Sequence, residues 1–253
     1  MQKKAILTFM LAAFVSASML AQTKVIAHRG YWNCEGSAQN SITALNKAHE
    51  IGAYGSELDV SITTDGVMIV NHDDNYQGVC IETSTYNDLK NLKLANGENL
   101  PTLDEYLIQG KKNPGTKLIM EIKPHKTVVN EDRAVAAALY LVEKYGMEDR
   151  VEYISFSMNV CKELIRRAPA AHVSFLGGNV SPKDLKTLGF AGLDYDHGTF
   201  DKHPEWIDEA KKYGLTINVW TVNDAERMKQ FIAKGVDYIT TDNPVELKNL
   251  LNK

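Results

Sequence analysis

From Lys24 onward, short runs of apolar and β-branched residues alternate with stretches in which apolar positions recur every three or four residues. The strand-like runs fall at residues 25–28, 55–60, 117–123, 151–156, 172–176, 192–195, 216–221 and 238–240. The helical pattern falls between them, at residues 41–51, 132–145, 157–167, 182–188, 205–213, 225–234 and 245–252. A strand lying parallel to its predecessor needs a long crossover, and a helix supplies it. Eight strands linked in this way predict one α/β domain, a closed (β/α)8 TIM barrel, over residues 22–253.

One run breaks the alternation. Residues 67–71 are also strand-like, yet only Thr64-Asp65-Gly66 separates them from the second strand. So short a gap with Asp-Gly signals a hairpin. Pairing Thr64 with Val67 and counting outward sets Asp59 opposite His72, which brings that histidine to the carboxyl end of strand two. Residues 73–115 then form a long polar insertion, with helical turns expected near 85–92 and 102–109 and a start signal at Pro101. At the carboxyl face of a barrel, such an insertion shapes the substrate pocket.

The alternation inside two strands breaks the rule that a barrel interior is apolar. Glu57 and Asp59 are two apart and share one side, while Leu58, Val60 and Ile62 take the other. Glu121 and Lys123 repeat this in the third barrel strand, Leu118-Ile119-Met120-Glu121-Ile122-Lys123. Adjacent strands would gather Glu57, Asp59 and Glu121 around one point, an arrangement that is costly unless a cation neutralises it. Three oxygen ligands without a thiolate or paired histidines suit one divalent cation of the hard type, Mg²⁺ or Ca²⁺. His28 and His72 reach the same mouth and form a candidate general acid/base pair. Arg29 and Lys123 offer fixed positive charge for phosphate oxygens. His49, His125, His172 and His203 are read as structural.

Composition adds limits rather than chemistry. Apolar residues make up 44% and charged residues 24%, and 28 basic against 32 acidic residues give a net charge of −4. No basic run suggests nucleic acid as a partner. Cys34, Cys80 and Cys161 match no metal-ligand spacing, and an odd count leaves at least one thiol free. Lys3 and Lys4 precede an apolar run at residues 5–20 that ends in small residues. That pattern predicts a signal peptide over residues 1–21, cut after Ala21, in preference to an uncleaved anchor, so the mature protein is expected to be periplasmic or secreted, with no stable membrane span.

The motifs Ala27-His28-Arg29-Gly30, Glu57-Leu58-Asp59-Val60, Thr64-Asp65-Gly66, Asn71-His72-Asp73, Met120-Glu121-Ile122-Lys123, Val219-Trp220-Thr221-Val222-Asn223 and Ile239-Thr240-Thr241-Asp242-Asn243-Pro244 run in order across nearly the whole mature chain. Together they resemble the glycerophosphodiester phosphodiesterases of the phosphatidylinositol-phospholipase-C-like barrel superfamily. The resemblance implies that His28 and His72 are catalytic and that Glu57, Asp59 and Glu121 bind the metal. It also implies that Arg29, Lys123 and Trp220 contact a small glycerophosphodiester, releasing an alcohol and glycerol 3-phosphate. Asp73 would orient His72, and Asp242 would support the site from behind. One motif departs from the family: Gln39-Asn40-Ser41 stands where Glu-Asn-Thr is usual, keeping the helix-capping chemistry but losing a carboxylate. Three other readings compete. A phospholipid-cleaving relative would want an apolar or basic rim, and an amidohydrolase would want His-x-His on strand one. A non-catalytic phosphodiester-binding barrel would be expected to lose the histidines or a ligand.

Overall fold

The computed structural model describes residues 22–252; the expected signal peptide, residues 1–21, lies outside them. Strand β1 (Lys24–Ala27) leads through α1 (Ile42–Glu50) into β2 (Gly55–Ile62), and β3 (Met68–Val70) folds back antiparallel on β2. The insertion carries a small hairpin, β4 (Asn75–Tyr76) with β5 (Val79–Cys80), then α2 (Tyr86–Leu89) and α3 (Leu103–Lys112). Strands and helices then alternate: β6 (Lys117–Ile122), α4 (Val128–Tyr145), β7 (Val151–Ser155), α5 (Met158–Arg167), β8 (His172–Phe175) and α6 (Pro182–Thr187). The chain ends with β9 (Gly192–Asp196), α7 (His197–Lys202), α8 (Trp206–Tyr213), β10 (Thr216–Trp220), α9 (Ala225–Lys234), β11 (Tyr238–Thr241) and α10 (Pro244–Leu251).

Strand β1 pairs in parallel with both β2 and β11, which closes β1, β2 and β6 to β11 into an eight-stranded parallel barrel. Side-chain parity divides the core into two shells. Leu58, Val60 and Ile62 of β2 and Leu118, Met120 and Ile122 of β6 point outward into the main cluster beneath the helices. Ile26, Ile119, Ile154 and Leu176 form a smaller cluster inside. Each fully buried aliphatic side chain contributes about 1.5–3 kcal/mol. The insertion has its own apolar centre, built on Ile69, Ile81, Leu89, Leu94 and Leu100, so it packs as a defined wall at the barrel mouth.

The hairpin register differs from the sequence count by one residue. Val60 pairs with Val70, and the Asn71 N–H donates to the Asp59 carbonyl, so Asn71 and not His72 lies opposite Asp59. The cause is a three-residue loop: Thr63 and Val67 close it, and Gly66 takes the left-handed conformation such loops require, at φ 88°. Helix α4 begins four residues earlier than its periodicity predicts, because Thr127 caps it and Val128 and Val129 are exposed. The short α7 and the β4–β5 hairpin carry no periodic signal, although Gln77-Gly78, both at positive φ, is a hairpin turn in itself. Cys34, Cys80 and Cys161 are free thiols, with Cys161 buried in α5 as expected.

Candidate active site

Strands β2 and β6 run in register with Asp59 beside Glu121, and both strands turn these positions inward. One carboxylate oxygen from each of Glu57, Asp59 and Glu121 lies within 4.8 Å of the others, and the three residues are 4%, 1% and 7% exposed. Burial, followed by its two acidic neighbours, pushes the Glu57 carboxyl well above its ordinary range. Burial and Asp59 push Glu121 up to about 7. Asp59 moves the other way: burial opposes its ionisation, but Lys123 and a hydrogen bond from Asn40 outweigh it. Burial and mutual repulsion thus resist ionisation of two of these three carboxyls, and a cation among them would favour the ionised form of all three. The all-oxygen donor set fits a hard divalent cation.

The surroundings hold this cluster in place. Asn40 Nδ2 donates to Asp59 Oδ2 at 2.9 Å, and the Asp59 N–H donates back to Asn40 Oδ1 at 3.3 Å. Asn40 is therefore a positioning residue for Asp59 rather than a helix cap; Ser41 alone caps α1, by accepting from the Ala44 N–H. The Arg29 backbone N–H donates to Glu57 Oε2 at 2.7 Å, a bond available because Arg29 itself adopts φ 54°. Gly30 follows at φ 76°, and a Cβ there would fall 2.6 Å from Ala44 Cβ, so α1 packs directly on this turn. Lys123 Nζ lies 2.9 Å from Glu121 Oε1 and 3.3 Å from Asp59 Oδ1. The contact with Glu121 is off the line of a hydrogen bond, which leaves Glu121 Oε1 buried without a donor.

Two histidines face the cluster, each backed by a carboxylate. His28 Nδ1 lies 2.8 Å from Asp242 Oδ1, and His72 Nδ1 lies 2.7 Å from Asp73 Oδ1. A carboxylate only accepts, so each pair places the Nδ1 proton on the ring and leaves Nε2 for chemistry. Asp242 is further held by Trp32 Nε1 at 3.0 Å and Asn223 Nδ2 at 2.7 Å. Burial opposes its ionisation, but the bonds from His28 and Asn223 prevail and bring the carboxyl down to about 2. His72 reaches the site despite the one-residue change in register.

These groups line a cavity of about 250 Å³ shared by His28, Arg29, Glu57, His72, Glu121 and Trp220. Trp220 forms part of its wall with Phe156 and Leu176; its indole N–H is bound to the Asp194 carbonyl and its ring meets Phe156 edge-on. Arg29 Nε is buried without a hydrogen-bond partner, while Nη1 donates to Gln39 Oε1 at 2.7 Å. Gln39, and not the exposed Glu35, is thus the neighbour that meets Arg29. The expected site residues therefore surround one cavity, with Lys123, Asp59, Asp73 and Asp242 immediately behind its lining. Sequence reasoning did not find the roles of Asn40, Gln39 and Asn223. The Gln39-Asn40 pair was visible as a polar step before α1, and Asn223 as the end of the Trp220 motif. His49, His125 and His172 bond to Thr116, the Ile62 N–H and Thr216, and His203 stacks on Trp206, all structural roles.

Comparison with known proteins agrees with this geometry. Residues 28–246 match the model of the glycerophosphoryl diester phosphodiesterase family. A glycerophosphodiester phosphodiesterase of Caldanaerobacter subterraneus is 31% identical, with 92% of this chain and 99% of that protein aligned. The crystal structure of a glycerophosphodiester phosphodiesterase from Parabacteroides distasonis superposes with a TM-score of 0.91 at 50% identity, covering 92% of this chain and 98% of that one. An Oleispira antarctica phosphodiesterase, solved with its product sn-glycerol-3-phosphate, shares the fold at 23% identity and a TM-score of 0.81, covering 92% and 98% of the two chains. The barrel, its acidic cluster and its ordered motifs are those of an enzyme, and the chain belongs to the glycerophosphoryl diester phosphodiesterase family.

Proposed function

We propose that this chain hydrolyses glycerophosphodiesters to an alcohol and sn-glycerol 3-phosphate, with His28 and His72 as its acid/base pair. In this reading Glu57, Asp59 and Glu121 hold one divalent cation, Mg²⁺ or Ca²⁺. The observation that carries it is the meeting of two carboxylate-backed histidines and three buried carboxylates at one cavity. Family membership supplies the substrate class, and the product bound by the Oleispira protein is the one the reading expects.

When bound, a cation at the acidic cluster supplies Lewis-acid stabilisation of charge on the phosphate oxygens. The protein's own groups do the rest. Arg29, whose Nε makes no hydrogen bond and lies 3.9 Å from Asp59 Oδ2, lines the cavity and donates to a non-bridging phosphate oxygen, and Lys123 adds fixed positive charge from behind. One histidine takes a proton at Nε2 from the nucleophile, which is water or the glycerol hydroxyl next to the phosphate. The other gives its proton to the departing alkoxide, a poor leaving group unless protonated. Asp242 and Asp73 hold the rings and stabilise the imidazolium that forms in each role. Trp220, Phe156 and Leu176 present an apolar wall to the glycerol carbons. The mature enzyme acts outside the cytoplasm, after removal of residues 1–21, as the charged and apolar N-terminal pattern suggests.

The test is release of glycerol 3-phosphate from a glycerophosphodiester. Activity should vanish in EDTA and return with Mg²⁺ or Ca²⁺. Hydrolysis that is indifferent to chelation would overturn the metal assignment.

A further inference from the structure

The barrel interior carries polar side chains beyond the acidic cluster. Toward the amino ends of the strands they satisfy one another. Tyr54 donates to Glu152, and His172 Nε2 lies 3.3 Å from Ser174 Oγ and 3.0 Å from Thr216 Oγ1. One step nearer the mouth, on β9, Asp194 breaks this pattern. It is 2% exposed, yet its Oδ1 has no hydrogen-bond partner in the protein. Asn218, its neighbour in register on β10, gives its amide N–H to the Thr240 hydroxyl at 2.8 Å, and Asn218 Oδ1 is equally without a donor. Burial pushes the Asp194 carboxyl up to about 7, and the nearby Asn218 amide offsets this only in part.

A buried carboxyl without a donor costs stability, and an apolar residue would serve the fold better. Its place in the barrel supplies a reason for it. Leu193 and Tyr195 point outward into the main core, which turns Asp194 inward, where it lines the catalytic cavity. Around the closed sheet β9 stands four strands from β2 in either direction, so Asp194 faces Glu57 and Asp59 from across the barrel.

The remaining lining residues indicate the ligand. His28, Arg29, Glu57 and Glu121, from the β1, β2 and β6 side, gather where a phosphate would be held. Ile154, Phe156, Leu176 and Trp220, from the β7 to β10 side, are apolar, and among the described lining residues Asp194 is the one ionisable group on that side. An arm that runs from the phosphate across this cavity of about 250 Å³ must be small, with carbons for the apolar faces and a hydroxyl for Asp194. Glycerol, the constant arm of the substrate class, meets that description. A hydroxyl both donates and accepts, so it complements the carboxyl in either protonation form.

We infer that Asp194 binds a hydroxyl of the glycerol moiety and is the residue by which this site distinguishes glycerol phosphate from a plain alkyl phosphate. The inference rests on the phosphodiesterase reading of the cavity.

The test compares the affinities of sn-glycerol 3-phosphate and propyl phosphate, which differ only in hydroxyl groups, by calorimetry with Mg²⁺ present. Wild type should bind glycerol 3-phosphate about tenfold more tightly, the worth of one hydrogen bond to a charged group. Asp194→Leu should bring the ratio toward one, and the isosteric Asp194→Asn should lower it less. Both variants should raise KM for glycerophosphocholine and glycerophosphoglycerol with little change in kcat. Their urea midpoints should equal or exceed that of the wild type, because no partner is lost; a residue that serves only the fold would instead lower the midpoint and leave the ratio alone. A wild-type ratio near one, or a ratio that neither variant lowers, would overturn the Asp194 assignment while leaving the reaction intact. Hydrolysis of neither diester by the wild type would overturn the reaction, and this assignment with it.

Discussion

Asn40 illustrates how a residue that is not itself a proposed ligand can govern the proposed metal site. Its amide grips Asp59 through both the carboxylate and the backbone, so replacement by alanine frees one ligand and strands a buried acceptor. Asn40→Ala should weaken Mg²⁺ or Ca²⁺ binding by roughly 10–100-fold in a calorimetric titration; unchanged affinity would contradict the positioning role. Asp242 makes a pH-dependent contribution. Its carboxyl sits at about 2, below the ordinary 3.8, so its stabilising effect is complete above pH 4 and fades as the pH falls toward 2. The stability gap between wild type and Asp242→Asn, read from urea midpoints, should narrow as the pH falls across that window, and a gap that does not narrow would contradict the assignment. At this scale the charged and aromatic groups were legible, because carboxylates in an apolar strand have no structural excuse. Asn40 and Gln39 were not: neutral amides in a loop look alike until their partners are seen.

The hairpin shows where element-level reading succeeds and where it slips. Thr64-Asp65-Gly66 announces a turn, but a turn sequence does not fix whether two or three residues form the loop. Here three do, and the pairing shifts by one. His72 still arrives at the cavity because it lies beyond the paired segment, where the chain can redirect it. Gly66 holds the loop at φ 88° with no atom near its missing Cβ, so Gly66→Ala carries only backbone strain. It should cost about 1–2 kcal/mol in denaturant unfolding; no loss would mean the loop relaxes into another turn. The start of α4 was harder to read than its body. Thr127 opens α4 with two exposed valines that fall outside its apolar period, and the cap was decisive where periodicity was silent.

At the scale of the molecule, strand-helix alternation was enough to predict the closed barrel, because a right-handed crossover leaves few other ways to bury eight parallel strands. The pairing of β2 with β6 converts alternation in two strands into a three-carboxylate cluster, and closure brings Asp242 at the end of β11 beside His28 at the end of β1. Among the described residues no helix is long and apolar enough to cross a membrane. Intact mass of protein recovered from the native envelope or medium should lack residues 1–21, and a mass that retains them would overturn the cleavage proposal. The proposed chemistry turns on the two histidines, and single-turnover and steady-state kinetics of His28→Ala and His72→Ala test it most directly. Each variant should bind Mg²⁺ or Ca²⁺ as the wild type does and lose about 10²–10⁴-fold in kcat on a glycerophosphodiester. One of the two, the acid variant, should recover on an aryl phosphodiester whose leaving group needs no proton. Either variant cleaving glycerophosphodiesters at the wild-type rate would contradict the acid/base mechanism.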